Sequence, residues 1–248
     1  MKLYHYKGKD TIEIGIDEAG RGCLAGPVVA AAVIFPKESE LLMNAGIKDS
    51  KKLSLKKRVA IREVIKEHAL AYAVSFVDKD TIDKYNILQA TYIAMHNCLK
   101  SLEGNFNRII VDGNRFPIYE NKNNVLIPHD CIVSGDDTYL SIAAASILAK
   151  TYRDDYIDSL CIKHPRLDVL YEWKKNKCYG TKAHRDGLLE HGITPLHRLS
   201  FKTSTQVSIN KEFEMEDFEM DNFECPGTTS YVNPDFDRLL NITQTREI

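Results

Sequence analysis

Gly15-Ile16-Asp17-Glu18-Ala19-Gly20-Arg21-Gly22 is the stretch whose reading decides the fold. Two adjacent carboxylates end an apolar, β-branched run that starts near Thr11, and a Gly-Arg-Gly turn follows at once. A second apolar run comes next, Gly26-Pro27-Val28-Val29-Ala30-Ala31-Ala32-Val33-Ile34-Phe35. Runs rich in Ile, Val and Phe, broken by glycine, predict two neighbouring strands of a meander. Carboxylates at a strand end beside a glycine turn suit a hard metal ion and the close approach of a polymer backbone. The pattern therefore points to chemistry on phosphates.

Outward from this centre, Pro36 ends the second strand and a polar loop, Lys48-Asp49-Ser50-Lys51-Lys52-Leu53-Ser54, follows. Ser54 is a good N-cap for a helix to about Ala69, with Val59, Ala60, Val64 and Ile65 near its buried face. Ala71 to Val77 reads as a strand. Asn86 caps a helix to Leu102, with Leu88, Met95, Leu99 and Leu102 on one stripe. Arg108 to Asp112 is a short buried strand stopped by Gly113, and Val125–Ile127 and Cys131–Val133 are candidate further strands. Tyr139 to Leu160 reads as a helix whose first half is apolar nearly all round, which places it inside the domain. Strands first, then strands mixed with helices, predict an α/β class with a mixed central β-sheet flanked by helices.

The 248 residues, 44% hydrophobic, suffice for one sizeable core with an appendage. Six cysteines form no Cys-x-x-Cys pair, which argues against a zinc site or a disulfide framework and for a reducing compartment. The N-terminus lacks the apolar core of a signal peptide, and no apolar run is long enough to span a membrane. The net charge of −2 is unevenly spread: from residue 207 onward there are ten acids and three bases, so the preceding residues are mildly basic. Residues 163–206 form a basic section in which Trp173, Tyr179 and Phe201 alternate with Lys174, Lys175, Lys177, Lys182, Arg185 and Arg198, a composition suited to nucleic acid. The expected domains are 1–206 and an acidic extension, 207–248, read mainly as solvated. A docked role for Phe213, Met215 and Phe218 is the alternative.

Four acids share a placement. Asp17 and Glu18 end one strand, Asp112 ends another, and Asp136 follows Gly135 just before the buried helix. If they converge, their repulsion raises their pKa values or calls for cations, and two hard divalent ions, magnesium or manganese, would resolve it. Each acid also has an ordinary reading: Asp-Gly-Asn as a turn, Asp136-Asp137 as a helix cap, Asp17-Glu18 as a solvated strand end. Gly20-Arg21-Gly22 can likewise be a simple hairpin turn. The joint pattern carries the case.

These residues resemble the ribonuclease HII family. The match runs through 16–22, Ala25–Val28, Asp49–Ser54, Asn86–Thr91, Val111–Asn114, Gly135-Asp136, Ala144–Lys150 and Arg153-Asp154. Weaker matches follow at Tyr179–Thr181, His197-Arg198 and Ser200-Phe201. The resemblance implies a ribonuclease H-like fold with a helical C-terminal section. It implies an endonuclease that hydrolyses the RNA strand of RNA–DNA hybrids and incises 5′ of single ribonucleotides in duplex DNA, leaving 3′-hydroxyl and 5′-phosphate ends. Such an enzyme serves ribonucleotide removal in replication and repair.

By the same resemblance Asp17, Glu18, Asp112 and Asp136 are the catalytic metal ligands for Mn2+ or Mg2+. Gly20, Arg21 and Gly22 read the ribose 2′-hydroxyl, Tyr179 stacks on the sugar at the RNA–DNA junction, and Ser50 and Lys51 contact phosphates. The expected partners are RNA–DNA hybrid and ribonucleotide-containing duplex DNA, with no membrane, for a cytoplasmic monomer. Three positions depart from the family pattern: Ser134 where lysine is usual, Cys178 where glycine is usual before the tyrosine, and Leu199 where a second arginine is usual. The related ribonuclease HIII branch lacks the Gly-Arg-Gly turn. A binding module without catalysis and a resolvase-like enzyme for branched DNA are the alternatives from other classes.

Overall fold

The computed structural model describes residues 11–36, 46–47, 53–202 and 225–242. The strands are β1 (Glu13–Ala19), β2 (Val28–Ile34), β3 (Ala71–Val77), β4 (Arg108–Asp112), β5 (Tyr119–Glu120), β6 (Leu126–Ile127), β7 (His129–Ile132) and β8 (Thr228–Val232). The helices are α1 (Leu55–His68), α2 (Lys79–Ser101), α3 (Leu140–Lys163), α4 (Arg166–Tyr171), α5 (Trp173–Asn176), α6 (Lys182–His191) and α7 (Phe236–Ile242).

The main sheet has the order β7-β4-β1-β2-β3-β8. The predicted meander β1-β2-β3 is antiparallel, while β4 runs parallel to β1 and β7 parallel to β4. One face packs against α2 through Ile14, Ile16, Val28, Met95 and Leu99. The other packs against α1 and α3 through Val29, Ala31, Val33, Ile65, Ala144 and Ile147. Alternate residues of each strand thus serve opposite cores. The all-round apolar start of α3 is buried as its composition requires.

Several boundaries differ from expectation. β1 continues through Asp17 and Glu18 to Ala19, so these acids lie within the strand and not at its end. They pair with Ala31 and Ala30 of β2. α2 begins earlier than expected, at Lys79, with the Asp78 carboxylate accepting from the Thr81 amide at 2.7 Å. Asn86 breaks it (φ 70°, ψ 164°) and caps its second part, accepting from the amides of Leu88 and Gln89. Leu126–Ile127 pairs with Tyr119–Glu120 in a separate hairpin rather than joining the main sheet.

The largest difference lies at the C-terminus. Thr228–Val232 pairs antiparallel with β3, and Phe236 is buried in the α2-side core with Leu239 packed beside it. The expectation of a solvated extension therefore fails for this part of the chain. Phe213, Met215 and Phe218 lie outside the described residues. Among the described residues no helix is long and apolar enough to cross a membrane.

Candidate active site

Asp17 points to the α3 side of the sheet and is 5% exposed. Its carboxylate accepts from the Glu18 amide at 2.7 Å and from the Ser146 hydroxyl of α3. Burial holds its pKa well above the usual carboxylate range, and the charges of Glu18 and Asp112 push it further up. Asp112 closes β4, next to β1, where Val111 pairs with Ile16. Its Oδ1 accepts from the Gly135 amide at 2.7 Å. Gly135 opens a single 3₁₀ turn, Gly135–Asp137, so the buried Asp136 is the residue directly after the contact with Asp112. Glu18 accepts from Arg21 Nη1 at 3.1 Å. Among the described residues no group of three or more His, Cys, Asp and Glu side chains is already gathered as a metal-ligand set.

The glycine turn divides into two unlike positions. Gly20 has φ +92°, and a Cβ there would lie 2.2 Å from Arg153 Nε and 2.6 Å from its Cδ. Gly22 has no such constraint: a Cβ would meet nothing within 4 Å, so the surface above it is open to a ligand. Arg21 and Gly22 are exposed. Behind the turn lie two fully buried arginines. Arg153 donates to the carbonyls of Pro27, Lys177 and Ala25, and Arg198 to those of Gly26, Arg21 and Pro27, all at 2.8–3.1 Å.

Tyr179 sits on the opposing turn. Cys23 and Tyr179 form an antiparallel bridge, and the Leu24 amide donates to the Cys178 carbonyl at 2.8 Å. Lys177 (φ 49°) and Cys178 (φ 67°) both occupy the left-handed region, so cysteine adopts the backbone that the family's usual glycine favours. The Tyr179 ring is 38% exposed, with Lys150 Nζ 5.2 Å and the Arg153 guanidinium carbon 5.9 Å from its centroid. Burial pushes its hydroxyl up to about 12.

A pair of buried imidazoles fixes this turn from below. His184 Nδ1 donates to the Tyr179 carbonyl at 3.1 Å, which leaves Nε2 to accept from Trp173 Nε1 (3.1 Å) and His197 Nε2 (3.0 Å). His197 Nδ1 in turn accepts from the Thr194 amide at 2.8 Å. One set of neutral tautomers gives every contact a donor and an acceptor, with the single Nε2 lone pair of His184 shared between Trp173 and His197. Burial lowers the pKa of His184 to about 4 and that of His197 well below its usual value.

The basic section is less available to nucleic acid than its composition suggests. Trp173 and Arg198 are fully buried. Lys174, Lys175, Lys177 and Lys182 face Asp168, Glu172, Asp158 and Asp186. Of its aromatic residues Tyr179 presents the exposed ring, while Phe201 is partly buried under the Arg198 guanidinium at 5.2 Å. Ser50 and Lys51 lie outside the described residues. Ser146, Arg153, His184 and His197 were given no role by the residue pattern, and Arg198 only that of a surface cation, although all but His184 fall inside blocks that carry the resemblance. A charged residue buried on main-chain carbonyls leaves no local mark in a sequence.

The profile described as Ribonuclease HII matches residues 14–204, a span that holds both turns and all four acids. The chain belongs to the ribonuclease HII family. Ribonuclease HII of Bacteroides thetaiotaomicron is 49% identical over 211 residues, covering 85% of this chain and all of the relative. Ribonuclease HII of Parabacteroides distasonis is 50% identical over 199 residues, covering 80% and 94%. The crystal structure of ribonuclease H2 from Pyrococcus horikoshii OT3 superimposes with a TM-score of 0.64 at 25% identity, covering 78% of this chain and 95% of that one. The mixed sheet with its flanking helices is the ribonuclease H-like fold. As a member of the ribonuclease HII family the chain is a ribonuclease H, a nuclease that hydrolyses the RNA strand of RNA–DNA hybrids. The match ends at residue 204, so β8 and α7 lie beyond the family segment.

Proposed function

We propose that this ribonuclease also incises duplex DNA 5′ of a single embedded ribonucleotide, leaving 3′-hydroxyl and 5′-phosphate ends. In this reading Asp17, Glu18, Asp112 and Asp136 hold divalent metal, Mn2+ or Mg2+. The observation that carries it is the buried Asp17 carboxylate, whose ionisation is opposed by burial and by Glu18 and Asp112. An all-oxygen donor set with that surplus of negative charge fits a hard divalent cation. Two such ions, when bound, activate water and stabilise the leaving oxygen on phosphorus.

The chain's own residues do the rest. The Ser146 hydroxyl and Glu18 amide restrain Asp17, and the Gly135 amide restrains Asp112, so both carboxylates have fixed places. The open surface at Gly22 admits the edge of a ribose beside the backbone of the turn. On the other side the exposed face of Tyr179 takes the neighbouring sugar, where a 2′-hydroxyl would crowd the ring. Ser50 and Lys51 complete the proposed contacts by holding phosphates.

A duplex containing one ribonucleotide tests the reading. Purified protein with Mn2+ or Mg2+ cuts it 5′ of the ribonucleotide, an all-DNA duplex stays intact, and Asp112→Asn lowers the rate about a hundredfold or more. If the ribonucleotide duplex stays uncut and Asp112→Asn behaves like the unaltered protein, the proposal is wrong.

A further inference from the structure

Two turns face the substrate in the proposed reading, one at residues 20–22 and one at 177–179, and they are far apart in the chain. One side chain touches both. The stem of Arg153 occupies the space that a Cβ of Gly20 would need, with Nε 2.2 Å and Cδ 2.6 Å from that point. Its Nη1 donates to the Lys177 carbonyl at 2.8 Å, at the start of the left-handed pair that aims Tyr179. Its Nε and Nη2 donate to the Pro27 and Ala25 carbonyls at 3.0 and 3.1 Å, which end the loop that begins with Gly20. The guanidinium also lies 5.9 Å from the centre of the Tyr179 ring. The side chain is 0% exposed and so touches no substrate.

Arg198 is also fully buried but divides differently. Its three bonds all go to the first loop, to Arg21, Gly26 and Pro27. Removing it loosens one turn. Removing Arg153 takes away the buried side-chain brace between the turns and leaves them joined by the Cys23–Tyr179 bridge and the Leu24–Cys178 backbone bond. A planar guanidinium with donors in a fixed fork is suited to this task, because three carbonyls from two segments can be held at one spacing. A lysine supplies a charge at one point and cannot span them.

We propose that Arg153 is a positioning residue that sets the distance between the ribose-reading turn and the Tyr179 turn, and through it the preference for an RNA–DNA junction. The proposal rests on the reading of those two turns given above. It concerns selectivity: the acids stand on other contacts, so metal binding does not pass through Arg153.

The test uses the full chain, Arg153→Lys and Arg153→Met, each alone and combined with Tyr179→Ala. Each is assayed on a duplex with one embedded ribonucleotide and on a continuous RNA–DNA hybrid. Arg153→Lys lowers kcat on the single-ribonucleotide duplex by about a hundredfold, as a small misplacement of a reading group does. The continuous hybrid loses less, so the ratio of the two activities falls, and Mn2+ titrated by calorimetry binds as in the unaltered protein. In the Tyr179→Ala background the Arg153→Lys change no longer alters the ratio, the non-additivity expected of residues acting as a unit. Arg153→Met is read only where it keeps a cooperative melt; Arg153→Lys carries the test otherwise.

Equal loss on both substrates, or additive effects with Tyr179→Ala, overturns the proposal and leaves Arg153 a structural residue. If the unaltered protein itself shows no preference for the junction, the reading of the turns fails instead. The two failures are therefore distinguishable.

Discussion

The turn at 20–22 and the turn at 177–179 face each other, yet they are held in place by opposite means. The first depends on what is missing: Gly20 has no side chain, and Arg153 fills the vacancy. The second depends on what is present: a cysteine forced into the left-handed region, tied by its carbonyl to Leu24, and a pair of neutral imidazoles beneath Tyr179. The first turn is therefore sensitive to added atoms and the second to added protons. Two adjacent parts of the proposed reading surface are exposed to different kinds of damage.

Gly20→Ala attacks the first turn most severely. The new Cβ meets Arg153 at 2.2 Å on a backbone with φ +92°, so overpacking and left-handed strain add. A loss of about 3–5 kcal/mol in urea unfolding is expected. A loss below about 1 kcal/mol would mean that Arg153 moves aside freely.

Acid attacks the second turn. His184 and His197 are neutral in the fold, with pKa values below the 6.5 of an exposed imidazole, the former at about 4. Below that ordinary value the unfolded chain binds protons that the folded chain does not. Stability is therefore complete above about pH 6.5 and is lost as pH falls, by about 1.4 kcal/mol per pH unit for each histidine. The urea midpoint should drop between about pH 7 and pH 5, and His197→Asn should shallow that slope. A flat profile would show that the imidazoles are not held neutral.

The smallest effect on stability sharpens the contrast within the first turn. Gly22→Ala adds a methyl group to open space and should change stability by less than about 0.5 kcal/mol. Its expected effect is on the substrate, as a raised KM for the single-ribonucleotide duplex. A protein that melts normally and cuts normally would remove Gly22 from the proposed contact.

Much of this arrangement was legible before the structure, and what was hidden has a common cause. The strands of the meander announce themselves through Ile and Val, and the buried start of α3 through its alanines. Asp17 and Asp112 could be placed together because each follows a buried run on a strand. In the residue pattern Arg198 is one of the cations of the basic section and Arg153 carries no role, since burial on main-chain carbonyls depends on partners from distant segments. Trp173, counted in the same basic section, is buried with its indole N–H on His184. The strand β8 was invisible for a different reason. All five of its residues are exposed, so it has no apolar alternation to detect, and it is defined by backbone pairing with β3, helped by the Thr228–Ser75 hydroxyl bond and the Tyr231–Tyr72 ring contact.

That late strand has a consequence for how the chain is made. The outer edge of β3 is covered by residues synthesised much later than β3 itself, with Ala71 opposite Val232. During synthesis the rest of the sheet can pair while this edge remains bare, and a bare strand edge invites a neighbouring chain. Closing it demands a contact of long sequence separation, which is intrinsically slow. A chain released short of Thr228 would thus carry the whole family segment, residues 14–204, with one sheet edge still adhesive.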